Sequence, residues 1–193
     1  MPFPKASNAG ASREFEQTPA GNHVARLYQL IDLGRQRRSW QGEEKIQHQI
    51  LLAFELGHEL MADGRPFSIS ATFTLSMHPK ATLRRMIEGW RGASFSDEDA
   101  AEFDLETLLG RACMVQVTHR QGQAKVYANV QSIAALPKGM TAPEAANPLV
   151  VYSPESHDQT QYDRLPAWVK RRLDERVRED DQGAGFEDDE IPF

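Results

Sequence analysis

"RPFSISATFTLSMHPKATLRRMIEGWRG", residues 65–92, holds two different periods end to end. Its first half alternates. Phe67, Ile69, Ala71, Phe73 and Leu75 fall on one side and Ser68, Ser70, Thr72 and Thr74 on the other, the pattern of a strand with one buried face. Its second half changes to helical spacing, with Leu83, Met86, Ile87 and Trp90 on one stripe and Gly92 placed to end it. Arg84, Arg85 and Arg91 read as the solvated face of that helix. A strand that runs straight into a helix marks the middle of a fold, and its flanks decide the topology.

Upstream, "GNHVARLYQLIDLG" (21–34) alternates, with Ala25, Leu27, Gln29, Ile31 and Leu33 on one face and Arg26, Tyr28, Leu30 and Asp32 on the other. "KIQHQILLAFELG" (45–57) does the same through Ile46, His48, Ile50, Leu52, Phe54 and Leu56. Downstream, Ser96 and Asp104 are placed to cap two short turns. "ACMVQVTHR" (112–120) and "AKVYANVQSIAAL" (124–136) then form a hairpin around Gly122. Three strands, a helix and a two-stranded hairpin is the order of the OB-fold, a five-stranded Greek-key barrel with its helix between strands three and four. Phe54, Phe67, Phe73 and Trp90 belong to its core, and His48 reads as a satisfied core histidine.

Around this body, residues 1–19 read as a flexible arm, and residues 138–164 as an irregular strap. "LPAWVKRRLDERVRED" (165–180) reads as a terminal helix with Trp168, Val169, Leu173 and Val177 on one stripe. The expected division is an arm at 1–19, an OB domain at 20–153, a linker and helix at 154–180, and a disordered acidic end at 181–193.

The formal net charge of −6 is unevenly spread. Residues 20–140 hold 14 Lys/Arg against 13 Asp/Glu, whereas residues 141–193 hold 6 against 13. A neutral to slightly basic body with an acidic end separates a folded unit from an interaction tail. The single cysteine, Cys113, excludes an internal disulfide framework and fits a reducing cytoplasm. No stretch approaches the ~18 apolar residues of a membrane span, so no membrane association is expected.

Binding single-stranded nucleic acid takes cations for phosphates and flat rings for unstacked bases. In an OB-fold these come from the sheet face and from the loops joining strands one to two and four to five. The first loop here is "GRQRRSWQGEEK" (34–45), with Arg35, Arg37, Arg38 and Lys45 interleaved with Trp40. The bland alternative is a solubilising loop whose Trp40 folds back on the barrel. The second hairpin supplies Arg120, Lys125 and Tyr127, and Arg26 and Tyr28 are expected on the same face.

Enzyme motifs are missing: no Walker loop, no GxGxxG, no HExxH and no Gly-x-Ser-x-Gly occurs. Cys113 and His119 share a strand face but lie roughly 20 Å apart by strand rise. The expectation is a non-enzymatic protein with no cofactor and no metal.

The chain ends in "GFEDDEIPF", where Asp188, Asp189 and Glu190 precede Ile191, Pro192 and Phe193. This end resembles the acidic tip of bacterial single-stranded DNA-binding proteins. The resemblance implies a docking peptide for replication, recombination and repair proteins, in which Phe193 fills an apolar pocket, Pro192 limits the entropy lost and the acids meet a basic rim. The long Gly/Gln-rich linker of that family is missing. The body, through "PAGNHVARLYQLIDLG", "FSISATFTLSMHPKATLRRMIEGWRG", "FDLETLLGRACMVQVTH" and "SIAALPKGM…NPLVVYS", is similar to phage and prophage single-stranded DNA-binding proteins. Together these resemblances imply a protein that coats single-stranded DNA in phage replication or recombination. An isolated barrel offers few cationic positions, so binding needs add the expectation of a homo-oligomer, at least a dimer. An adaptor that joins replication complexes through the tip without touching DNA, or an annealing or recombinase accessory factor, stands as the alternative.

Overall fold

A computed structural model describes residues 16–40, 42–123, 125–142 and 144–178. Among the described residues, six strands form one mainly antiparallel sheet: β1 (Gly21–Trp40), β2 (Glu43–Leu60), β3 (Pro66–Thr74), β4 (Ala112–Gln121), β5 (Val126–Ala134) and β6 (Val150–Tyr152). The order is β3-β2-β1-β4-β5, with β6 lying parallel to β1 along Gln29–Ile31. Between β3 and β4 come α1 (Thr82–Arg91), α2 (Asp97–Ala101) and a 3₁₀ turn at Leu105–Leu108. The short helices α3 (Gln159–Arg164) and α4 (Ala167–Asp174) follow β6. The strand and helix order is the one expected. The strap is more regular than expected, because it contains both β6 and α3.

The 20-residue β1 does not keep one face throughout. Its register against β2 slips between Leu27 and Gln29, and again between Asp32 and Gly34. Each bulge inserts one unpaired residue and turns the following side chains to the opposite face. Ala25, Leu27 and Leu30 therefore join one core, whereas Ile31 and Leu33 join another. The single alternating face expected for residues 25–33 is corrected by the bulge at Tyr28.

The first core lies between the sheet and α1, and it buries Phe54, Phe67, Phe73 and Trp90 as expected. Phe54 and Trp90 meet at 5.9 Å between ring centroids, and the Trp90 indole donates to the Ala112 carbonyl at 3.0 Å. Gly89 interrupts a good helix for a reason of space: a Cβ there would meet the Ile133 carbonyl oxygen at 2.6 Å. Gly92 ends α1 in the left-handed conformation (φ 69°), its N–H donating to the Glu88 carbonyl.

Arg84 is not on a solvated face. It is buried, and its guanidinium donates to Glu88, Asp97 and the carbonyls of Met77 and Phe95. The chain after Gly92 folds back over α1, which helical periodicity alone does not reveal. Arg85 and Arg91 are exposed as expected, and Arg91 stacks over Phe95 at 4.0 Å.

The second core covers the opposite face of β1 and β2. Ile31, Leu33 and Leu51 pack against Val150, Tyr152, Leu165, Val169 and Leu173. The C-terminal helices are thus part of the folded body. Trp168 leaves the expected stripe and stands 41% exposed, while Val169, Leu173 and Val177 are buried. The end of the expected N-terminal arm is likewise anchored: Thr18 is buried, donates to the Ser68 carbonyl at 3.1 Å, and its own carbonyl meets His119 at 2.8 Å. Among the described residues no helix is long and apolar enough to cross a membrane.

Candidate nucleic-acid interface

Residues 34–40 and 42–45 form a ribbon rather than a loop. β1 and β2 stay paired out to Trp40 opposite Glu43, and Gly42 makes the reversal with φ 87°. The base of the ribbon is set by Asp32, whose carboxylate accepts the Gly34 N–H at 2.7 Å where Gly34 takes φ 67°. Residues opposite one another share a face. Arg35 lies opposite His48 and Arg37 opposite Ile46; on the other face Gln36 lies opposite Gln47 and Arg38 opposite Lys45. All four expected cations, Arg35, Arg37, Arg38 and Lys45, are exposed. The side chain of Trp40 lies outside the described residues.

The C-terminal segment fastens the ribbon at its root. The Val177 N–H donates to the Arg35 carbonyl at 2.8 Å, and the Gln36 amide donates to the carbonyls of Leu33 (2.7 Å) and Arg172 (3.0 Å). Arg172 crosses onto the sheet, donating to Gln49 Oε1 at 2.7 Å and to Thr72 Oγ1 at 3.0 Å. Arg38 reaches the same Gln49 oxygen at 3.4 Å. Burial first, and the neighbouring Arg38 next, hold the Arg172 guanidinium below its usual range. Among the described residues, Arg35, Arg37, Arg38 and Arg172 have no carboxylate within ion-pair distance. Sequence reading missed Arg172, because nothing in "KRRLDER" marks which arginine turns back onto a sheet.

The β4–β5 hairpin gathers a second group. Arg120 lies opposite Tyr127, both are exposed, and Lys125 Nζ sits 5.0 Å from the Tyr127 ring centroid. The ring leans on the backbone at Gly122, where a Cβ would come within 2.5 Å of it. A propped, exposed ring beside cations is suited to stacking a base.

Arg26 and Tyr28 do not share that open face. Arg26 is buried, its Nε 2.6 Å from Glu55 Oε1 and its NH2 donating to the Asn147 carbonyl at 2.8 Å. Tyr28 is half-buried against Ser68, and burial pushes its phenol above the usual range. Alternation alone set them outward; the strap at 146–147, bonded to Arg26 and Glu55, takes Arg26 out of solvent, while Tyr28 is at the bulge and meets Ser68 of β3.

Between β3, β5 and the start of α1 lies a cleft of about 680 Å³ whose polar lining includes Ser70, Thr72, Thr74, Lys80 and Asn129. Thr72 also bonds Arg172, so the cleft and the arginine pair are adjacent. His48 is satisfied as expected, though more open than a core residue: its Nε2 lies 2.6 Å from Asp32 Oδ1. Ser153 donates to the other Asp32 oxygen at 3.2 Å. Serine and histidine both engage the carboxylate rather than each other, which is not a nucleophile–base pair. Cys113 is buried, and burial pushes its thiol far up, away from the reactive thiolate. Among the described residues no group of His, Cys, Asp and Glu could hold a metal ion. The expected docking residues, Asp188, Asp189, Glu190, Ile191, Pro192 and Phe193, lie outside the described residues. No protein-family model and no curated protein matches the chain.

Proposed function

We propose that this protein coats single-stranded DNA without strong sequence preference, on an OB-type barrel, and recruits replication or recombination proteins through Asp188–Phe193. The barrel reading is supported by the order β3-β2-β1-β4-β5, by α1 between β3 and β4, and by the contact of β3 with β5 that brings the two ends of the sheet together. The observation that carries the binding reading is the set of arginines at the root of the β1–β2 ribbon that have no carboxylate within ion-pair distance among the described residues. Like charges opposed across a ladder cost stability unless an anion offsets them; of Arg38 and Lys45, Lys45 has the Glu43 carboxylate at 3.8 Å, which leaves Arg38 to an outside anion. Phosphates along a strand are such anions, and Tyr127 offers a ring to the bases.

Binding through this surface depends steeply on salt. Neutralising Arg35, Arg37 and Arg38 together to glutamine lowers oligothymidine affinity by more than tenfold and flattens the salt dependence, with the melting temperature kept. Unchanged binding in that variant refutes the interface. One observation favours a second reading: Trp168 stands exposed on α4, a ring a partner protein can cover. If the wild type binds no oligothymidine, a non-DNA adaptor is the better account, and the triple substitution leaves its partner binding unharmed.

A further inference from the structure

We propose that Arg38 and Arg172 together clamp one phosphodiester group, which makes the C-terminal helix α4 part of the nucleic-acid interface. The inference rests on the single-strand reading above and adds a site to it. The two guanidiniums come from elements far apart in sequence and converge on the one oxygen Gln49 Oε1, at 3.4 and 2.7 Å. That oxygen is neutral, and a neutral amide compensates one guanidinium poorly and two worse. Each arginine carries five N–H donors in a planar fork. The described bonds engage one donor group of Arg38 and two of Arg172, so donors remain for an oxyanion.

Arg172 is also held in place before any ligand arrives. Thr72 fixes the Arg172 fork, and Gln36 holds the Arg172 carbonyl while Val177 ties the next turn to Arg35. Two like charges fixed at a partly desolvated point repel, and an anion bound between them relieves that cost. A phosphodiester fits because its two free oxygens match paired forks. Lys45, opposite Arg38, stands on one side with Glu43 3.8 Å from its ammonium, and the cleft beside Thr72 lies on the other. A strand laid along the ribbon would thus pass one phosphate over the clamp.

The test is fluorescence anisotropy of labelled oligothymidine titrated at several salt concentrations, with the full chain, Arg172→Gln and Arg172→Lys. Arg172→Gln is expected to weaken binding about tenfold and to reduce the slope of log K against log salt by about 0.7, the share of one phosphate on a single strand. Arg172→Lys is expected to restore the slope but only part of the affinity, since the charge returns without the fork. Equal affinity and slope in all three proteins overturns the clamp. If the wild type binds no oligothymidine, the coating reading itself falls, and inorganic pyrophosphate decides the clamp. A melting shift with pyrophosphate that vanishes in Arg38→Gln/Arg172→Gln upholds the site, and no shift overturns it.

Discussion

Glu55→Ala removes the carboxylate on which the outer face of the sheet is organised. Its side chain is 1% exposed and that of its partner Arg26 is 10% exposed. Glu55 Oε1 takes Arg26 Nε at 2.6 Å and the Ala146 N–H at 3.4 Å; Oε2 takes the Asn147 N–H at 2.9 Å and its side-chain amide at 2.7 Å. Alanine leaves a buried guanidinium with the Asn147 carbonyl as its remaining described partner. Breaking a buried pair on one side costs about 3–5 kcal/mol. The strap donors, close to the surface, regain water and add little. For a chain of this length about 1 kcal/mol moves the midpoint by about 2–4 °C, so a fall of about 6–20 °C is expected. Urea unfolding and thermal melting measure it. Arg26→Met combined with Glu55→Leu removes the stranded charge, and the strap donors turn to water, so most of the loss should return. A loss below about 1 kcal/mol in Glu55→Ala, or a double variant no better than the single, refutes the reasoning.

Three further outcomes are expected. The Glu88 carboxyl is held below the ordinary range by the Phe95 N–H first and by Arg84 next. A depressed carboxylate contributes stability that is complete above its unfolded value and is lost as pH falls through its folded value. Glu88→Gln should therefore lower the neutral midpoint and flatten the fall below about pH 4.5, the two proteins converging in acid; an unchanged acid limb in pH-dependent melting contradicts this. Native Cys113 should resist alkylation by iodoacetamide and react at once in urea, because burial disfavours its thiolate; rapid modification of the folded protein, read by mass spectrometry, would show the thiol open. Deleting Phe193 should abolish capture of replication proteins by an immobilised full chain while oligothymidine binding holds or tightens, and retained capture removes the docking role of the tip.

Much of the architecture is visible in the chain because its two strongest periods coincide with real burial. β3 and α1 each have one face on the first core, so Phe67, Phe73, Leu83 and Trp90 stand out as a row. The ribbon at 34–45 escaped because both of its faces carry polar side chains, including Gln36, which is buried at the root. A strand polar on both sides shows no hydrophobic alternation, and its arginines look like a polar loop. The bulges at Tyr28 and Leu33 add one residue without any mark in composition, and they reassign Leu30 and Ile31 to different cores. Arg84 and Arg26 are charged residues whose partners lie elsewhere in the chain, 13 residues away in Asp97 and 29 in Glu55. The candidate site divides in the same way. Its exposed cations are legible from spacing, while Arg172 meets Gln49 across a separation of 123 residues and becomes visible only in the fold.

The most direct measurement is anisotropy of labelled oligothymidine against a matched duplex, at low and moderate salt, with the full chain and a protein ending at Gly185. Tight binding to the single strand alone, weakened steeply by salt and unchanged or strengthened by truncation, is the predicted result. Equal binding to duplex, or no binding by either protein at low salt, contradicts the account.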